Sequence, residues 1–286
     1  MFLRNLKWCF FVALLAGAAY AQVPDTLAVD PVPERNFIER HYDLSLERDL
    51  PLTFLSGFIS VYGNYRLHKM AVNTEMRDVS DLLPWDRPVA GRYCKACADV
   101  STWSAALGVA PLALGAFSWY KGDASGGDLA AYTLMLAQAL ALQNGVNLLV
   151  RTLSFWPRPY MYATEGDGAE AASAAEGEAY GSFYSGHASA AFTIAVFTGE
   201  WFSEFYPNSR YKSLVWATSL SLASLVGVLR VAAGRHYPTD VAVGALAGAG
   251  ISLAVIKIHK KSVRIGPVSL AGLWAGPGSA SATFAF

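Results

Sequence analysis

His236 stands four residues ahead of Asp240 and six behind Arg230. Pro238 restarts an apolar run between them, so the carboxylate can reach back to the imidazole Nδ1 hydrogen and leave the other ring nitrogen bare as a nucleophile. The same residues also read as a loop histidine beside an aspartate that caps a helix. Two more segments carry related chemistry. Arg151 and Arg158 lie seven positions apart, the second stiffened by Pro157 and Pro159, and Gly181 to His187 is a glycine-rich turn that opens an apolar helix. Arginine forks bind phosphate oxygens in pairs and stay charged. A helix N-terminus at Ser185-Gly186-His187 offers free N–H groups to an anion, and Gly186 lets the backbone approach. Taken singly, each has a plainer reading, an arginine anchoring a membrane-helix end or a serine cap. Three arginines and two histidines in the connections of one face point to phosphoryl chemistry.

The ordered triple Arg151-x6-Arg158-Pro159, Ser185-Gly186-His187 and Arg230-x5-His236-x3-Asp240 resembles the signature of the type 2 phosphatidic acid phosphatase and vanadium haloperoxidase superfamily, over roughly residues 129–258. The resemblance implies a helical bundle with its site at helix ends and metal-free phosphoester hydrolysis through a phosphohistidine. It makes His236 the nucleophile, Asp240 its orienting partner and His187 the acid and base. Arg151, Arg158, Arg230, Ser185 and Gly186 become the phosphate-binding groups. It implies neither cofactor nor metal. Three positions depart from the usual pattern: Arg151 stands for a lysine, Tyr184 for a proline and Leu229 for a serine. Arg151 keeps the charge but replaces a compact ammonium with a larger fork, and neither Tyr184 nor Leu229 removes a chemical role.

The segments need rigid elements to position them, and apolar runs at Val100–Tyr120, Leu129–Val150, Ala188–Phe205, Leu214–Val231 and Val241–Ile258 are long enough for bilayer-crossing helices. The expected fold is all-α, a membrane-embedded bundle with five or six apolar helices. Lys121, Arg210, Lys212 and the basic cluster at 257–264 fall in alternate connections, which the positive-inside bias assigns to the cytoplasm. The site connections then face the periplasm or cell exterior. That parity requires Leu52–Met70 to lie on the membrane without crossing. Trp85-Asp86-Arg87-Pro88 reads as a fixed corner, and Thr164–Glu178, with five acids and no base, as a mobile loop. A short helix is expected near Asn36–Arg48, and the tail could add an edge strand.

In domain terms, 1–21 reads as a secretory signal, 22–98 as an exported arm with one apolar helix, 99–260 as the catalytic helical domain and 261–286 as a basic, then Gly/Pro-broken tail. Cys94 and Cys97 form a Cys-x-x-Cys pair suited to a disulfide in an exported loop. Hydrophobic residues make up 53% of the chain and charged residues 15%, which favours a membrane protein. Basic and acidic residues balance at 22 each, which removes the electrostatic case for nucleic acid. The expected partners are a phosphorylated lipid and the membrane; no protein partner is indicated. Candidate substrates are phosphatidate, phosphatidylglycerophosphate, undecaprenyl diphosphate or lipid A. The alternatives are a soluble exported acid phosphatase, a vanadium-dependent haloperoxidase and a non-catalytic headgroup-binding protein.

Overall fold

The computed structural model describes Tyr42, residues 44–69, 73–153 and 156–260, and the backbone of 264–265, 268–276 and 279–285. The segment read as a secretory signal and, in the arm, residues 22–41, 43 and 70–72 lie outside the described residues. The helices are α1 (Leu46–Lys69), α2 (Lys95–Thr102), α3 (Val109–Tyr120), α4 (Gly126–Arg151), α5 (Gly166–Ser173), α6 (Gly186–Phe205), α7 (Lys212–Ala232) and α8 (Pro238–His259). The body is all-α. The tail departs from it as a three-stranded antiparallel sheet in the order β1 (Arg264–Ile265), β2 (Val268–Gly276) and β3 (Ser279–Ala285). The short helix expected near Asn36–Arg48 lies largely outside the described residues; α1 begins at Leu46, where the Asp49 carboxylate accepts the Ser45 N–H at 2.7 Å and closes the first turn.

Helix α6 is the axis, packed against α3, α4, α7 and α8. Phe197 and Trp201 on it are completely buried beside Tyr132 and Met135 of α4. Their polar atoms are matched: Tyr132 donates to the Phe197 carbonyl at 2.9 Å, and Trp201 Nε1 to Ser118 Oγ at 3.1 Å. Four stretches, Lys95–Tyr120, Gly126–Arg151, Lys212–Ala232 and Pro238–His259, are long and apolar enough to cross a membrane. The fifth expected apolar helix, α6, does not meet that measure. Protein surrounds it, so it tolerates Thr193, Glu200 and Glu204 where a lipid-facing helix would not. On the outer surfaces Phe54, Val61, Leu112, Leu214, Val228 and Leu246 are exposed apolar side chains, the pattern of a bundle that meets hydrocarbon.

Three elements differ from the sequence expectation. The run from 95 to 120 is interrupted by a 3₁₀ stretch at Trp103–Gly108, just before Pro111, which cannot donate a helical hydrogen bond. The acidic loop contains α5 and a 3₁₀ turn at Gly177–Tyr180, because its alanines favour helix and Gly168 packs on Tyr93 and Ala163. Finally, α1 belongs to the bundle. Gln138 donates to Thr53 at 2.8 Å, Asn144 to Ser60 at 2.8 Å, and Gly63 lies against Leu148, so α1 follows α4 along its length.

Asp49 of α1 meets His259 Nε2 at 2.7 Å, and Lys260 meets Glu204 at 2.9 Å. These pairs gather the start of α1 and the ends of α6 and α8 at one pole of the bundle. The opposite pole collects the end of α4, the start of α6, the end of α7 and the start of α8.

Candidate active site

Each chemistry-bearing segment falls at that second pole. Arg151 occupies the last turn of α4, Ser185 caps α6 with Gly186 and His187 in its first turn, Arg230 lies in the last turn of α7, and His236 precedes α8, whose third residue is Asp240. Arg158 is on the loop after α4, held where its N–H donates to the Ala179 carbonyl at 2.8 Å. All eight expected residues therefore converge on one helix-end cluster.

His236 is buried, and its Nδ1 lies 2.9 Å from the Ser182 carbonyl oxygen. A carbonyl can only accept, so Nδ1 carries the hydrogen and Nε2 presents its lone pair. The expected hydrogen bond from Nδ1 to Asp240 is not the one formed: Asp240 Oδ2 stands 3.5 Å away. That oxygen is engaged by the Tyr237 N–H at 3.0 Å and the Ser182 hydroxyl at 2.6 Å, as befits a carboxylate in the first turn of a helix. Asp240 thus organises the Ser182 segment, and the Ser182 backbone orients the imidazole.

The turn before His187 is built by close packing. Asn147 of α4 donates its amide to the Tyr184 carbonyl at 2.6 Å, and a Cβ on Gly186 would sit 2.7 Å from Asn147 Oδ1. Only glycine fits there. The Ser185 N–H donates to the Asp240 carbonyl at 3.0 Å, which ties α6 to α8. Gly234, with φ of 67°, brings the backbone against the Arg92 carbonyl, a position no Cβ could share. On the outer side, the corner expected at Trp85–Pro88 braces α8: Trp85 Nε1 donates to Thr239 Oγ1 at 2.7 Å, and Asp86 accepts the Thr239 N–H at 3.1 Å.

Electrostatically the cluster is cationic. Arg158 and Arg230 are nearly fully buried, and among the described residues neither Nε has a hydrogen-bond partner. Arg151 donates Nε to the Gly181 carbonyl at 2.9 Å and Nη2 to the Glu178 carbonyl at 3.4 Å, with the Glu178 carboxylate at 3.9 Å. Buried guanidiniums with unmatched donors are costly unless an anion completes them. Burial and then the field of Arg158, Arg230 and Arg151 hold His236 well below the ordinary histidine value. Burial, followed by Arg230, His236, Arg158 and Arg151, pushes His187 down to about 3. Both rings are neutral at ordinary pH, one ready to attack and the other able to gain a proton once an anion offsets the arginines.

Ser182, Asn147 and Asp86 were invisible as site residues in the sequence. Each acts through a partner far away in the chain, and a lone serine, asparagine or aspartate carries no spacing that would mark it.

Set against known families, residues 131–264 match the model described as PAP2 superfamily. No curated protein and no solved structure gives a significant match.

Proposed function

Because residues 131–264 belong to the PAP2 superfamily, a family of phosphatases acting on phosphoesters, we propose that this chain is a metal-independent phosphatase of a membrane lipid phosphate or diphosphate, working through a phosphohistidine. The observation that carries the reading is the buried trio Arg151, Arg158 and Arg230, with orphaned Nε donors on two of them, around two neutral imidazoles.

In this reading the arginine forks and the α6 N-terminus take the non-bridging phosphate oxygens, and the bound anion raises His187 toward its protonated form. The His236 Nε2 lone pair attacks phosphorus as the P–O ester bond breaks. The departing oxygen keeps that electron pair and takes the His187 proton. His187, now neutral, removes a proton from water, whose oxygen attacks phosphorus, and the P–N bond returns its pair to Nε2. Through both steps Nδ1–H stays on the Ser182 carbonyl, and the Asp240 carboxylate, 3.5 Å away, stabilises the positive charge on the ring.

The apolar exterior and four membrane-length helices support a substrate whose head reaches the helix ends while its tail stays in the bilayer. They weigh against the soluble acid phosphatase. An outward site is supported by the Cys94–Cys97 disulfide at the start of α2, a bond of oxidising compartments, and by Lys121, Arg210, Lys212 and Lys260 at the other pole. Tyr42, bridged to Lys260, falls at the same basic pole, opposite the site.

The test is phosphate release from detergent-solubilised protein across lipid monophosphates, lipid diphosphates and soluble esters, beside His236→Ala. Release from a lipid ester that vanishes in the variant is expected. Equal release from both proteins would contradict the reading.

A further inference from the structure

Arg230 is held from outside the segment that matches the family. Its Nη1 donates to Ser101 Oγ at 3.2 Å, and Ser101, on α2, is completely buried and lies 129 positions earlier in the chain. The Ser101 hydroxyl spends its own hydrogen on the Ala98 carbonyl at 2.9 Å, which turns an oxygen lone pair toward Nη1. Helix α2 is packed against α7 and starts at the Cys94–Cys97 bridge, so the acceptor is fixed independently of α7. With Nη1 taken and Nε without a partner among the described residues, the free edge of the fork is the one formed by Nε and Nη2. That edge is the one able to make two parallel hydrogen bonds to a phosphate.

We propose that Ser101 is a positioning residue that sets the rotation of the Arg230 guanidinium so that its Nε–Nη2 edge meets the substrate phosphate. The proposal rests on the phosphatase reading given above. Without the Ser101 acceptor, Nη1 is a buried donor seeking a partner, and the fork turns to find one. Serine is small enough to be buried in α2, and threonine keeps the hydroxyl at the cost of one methyl group.

The experiment is a double-mutant cycle in the full chain: wild type, Ser101→Ala, Arg230→Gln and the double variant, with Ser101→Thr as the rescue. The readouts are hydrolysis of p-nitrophenyl phosphate, inhibition by inorganic phosphate and thermal stability. Ser101→Ala should weaken phosphate inhibition and lower kcat/KM about tenfold, the effect of one hydrogen bond to a charged group. Its melting temperature should stay close to wild type, and Ser101→Thr should recover most of the loss. In the Arg230→Gln background, removing Ser101 should change neither quantity by more than about twofold, since the two act as one unit. Phosphate binding by calorimetry gives the same cycle where turnover is too slow to measure. An equal loss in both backgrounds, or none in either, overturns the proposal. Wild-type phosphate binding and turnover in Arg230→Gln would instead remove the functional reading itself.

Discussion

Replacing Asp240 by asparagine separates charge from shape at the centre of the site. Asparagine can still accept the Ser182 hydroxyl and the Tyr237 N–H, now 2.6 and 3.0 Å from Oδ2, so the first turn of α8 should persist. Nδ1 of His236 is held by the Ser182 carbonyl at 2.9 Å, so the ring should keep its orientation and tautomer. What is lost is the negative charge 3.5 Å from Nδ1 at the moment the ring becomes cationic. Two unit charges at that separation interact by about 5 kcal/mol in an effective dielectric of about 20. The asparagine dipole retains part of this, which leaves about 4 kcal/mol, or about a thousandfold in rate. The assay is steady-state phosphate release with thermal melting in parallel. kcat should fall by about three orders of magnitude, with KM within a few-fold and little change in melting temperature. Activity within about tenfold of wild type would refute the electrostatic role assigned to Asp240.

Gly186→Ala puts a methyl group against Asn147 Oδ1 and breaks the amide's bond to the Tyr184 carbonyl, so destabilisation of about 2–4 kcal/mol is expected by denaturant melting. Adding Asn147→Ala should cost less than the sum of the two changes, because the space is then shared. His187 and His236 have folded-state values lowered from 6.5, so the unfolded chain binds protons that the native site refuses. Their stabilising contribution is complete above about pH 6.5 and declines as pH falls below it, by about 2 kcal/mol at pH 5 for His187. Melting against pH should therefore be flatter for His187→Asn. For topology, a cysteine in place of exposed Trp85 should react with an impermeant maleimide in intact cells, and one in place of Leu44 should react only after lysis. The opposite pattern would turn the site inward.

What the sequence made legible was the set of groups able to handle phosphate. Their types and internal spacings fall at helix ends, and local geometry dictates much of what they do: Ser185 as a cap, Gly186 for close approach, Asp240 in a first turn. What it hid were contacts that depend on packing between distant segments. Asp240 four residues after His236 invites a direct bond, yet the carboxylate serves its own helix and Ser182 supplies the acceptor. Arg230 reads as an anion ligand, but its dependence on Ser101 requires knowing that α2 lies against α7. The acidic segment after Arg158 looked structureless by charge, while its alanines and Gly168 give it a short packed helix. The packing of α1 on α4 was hidden too, because it runs through Thr53 with Gln138 and Ser60 with Asn144, pairs of residues more than 80 positions apart.

The central claim is that phosphorus passes through the His236 ring. Its most direct measurement is acid quench of a single turnover with ³²P-labelled lipid phosphate, in wild type, His187→Asn and His236→Ala. The account predicts acid-labile, base-stable label on the protein, accumulating in His187→Asn and absent from His236→Ala. Phosphate release without protein-bound label, undiminished in His236→Ala, would contradict it.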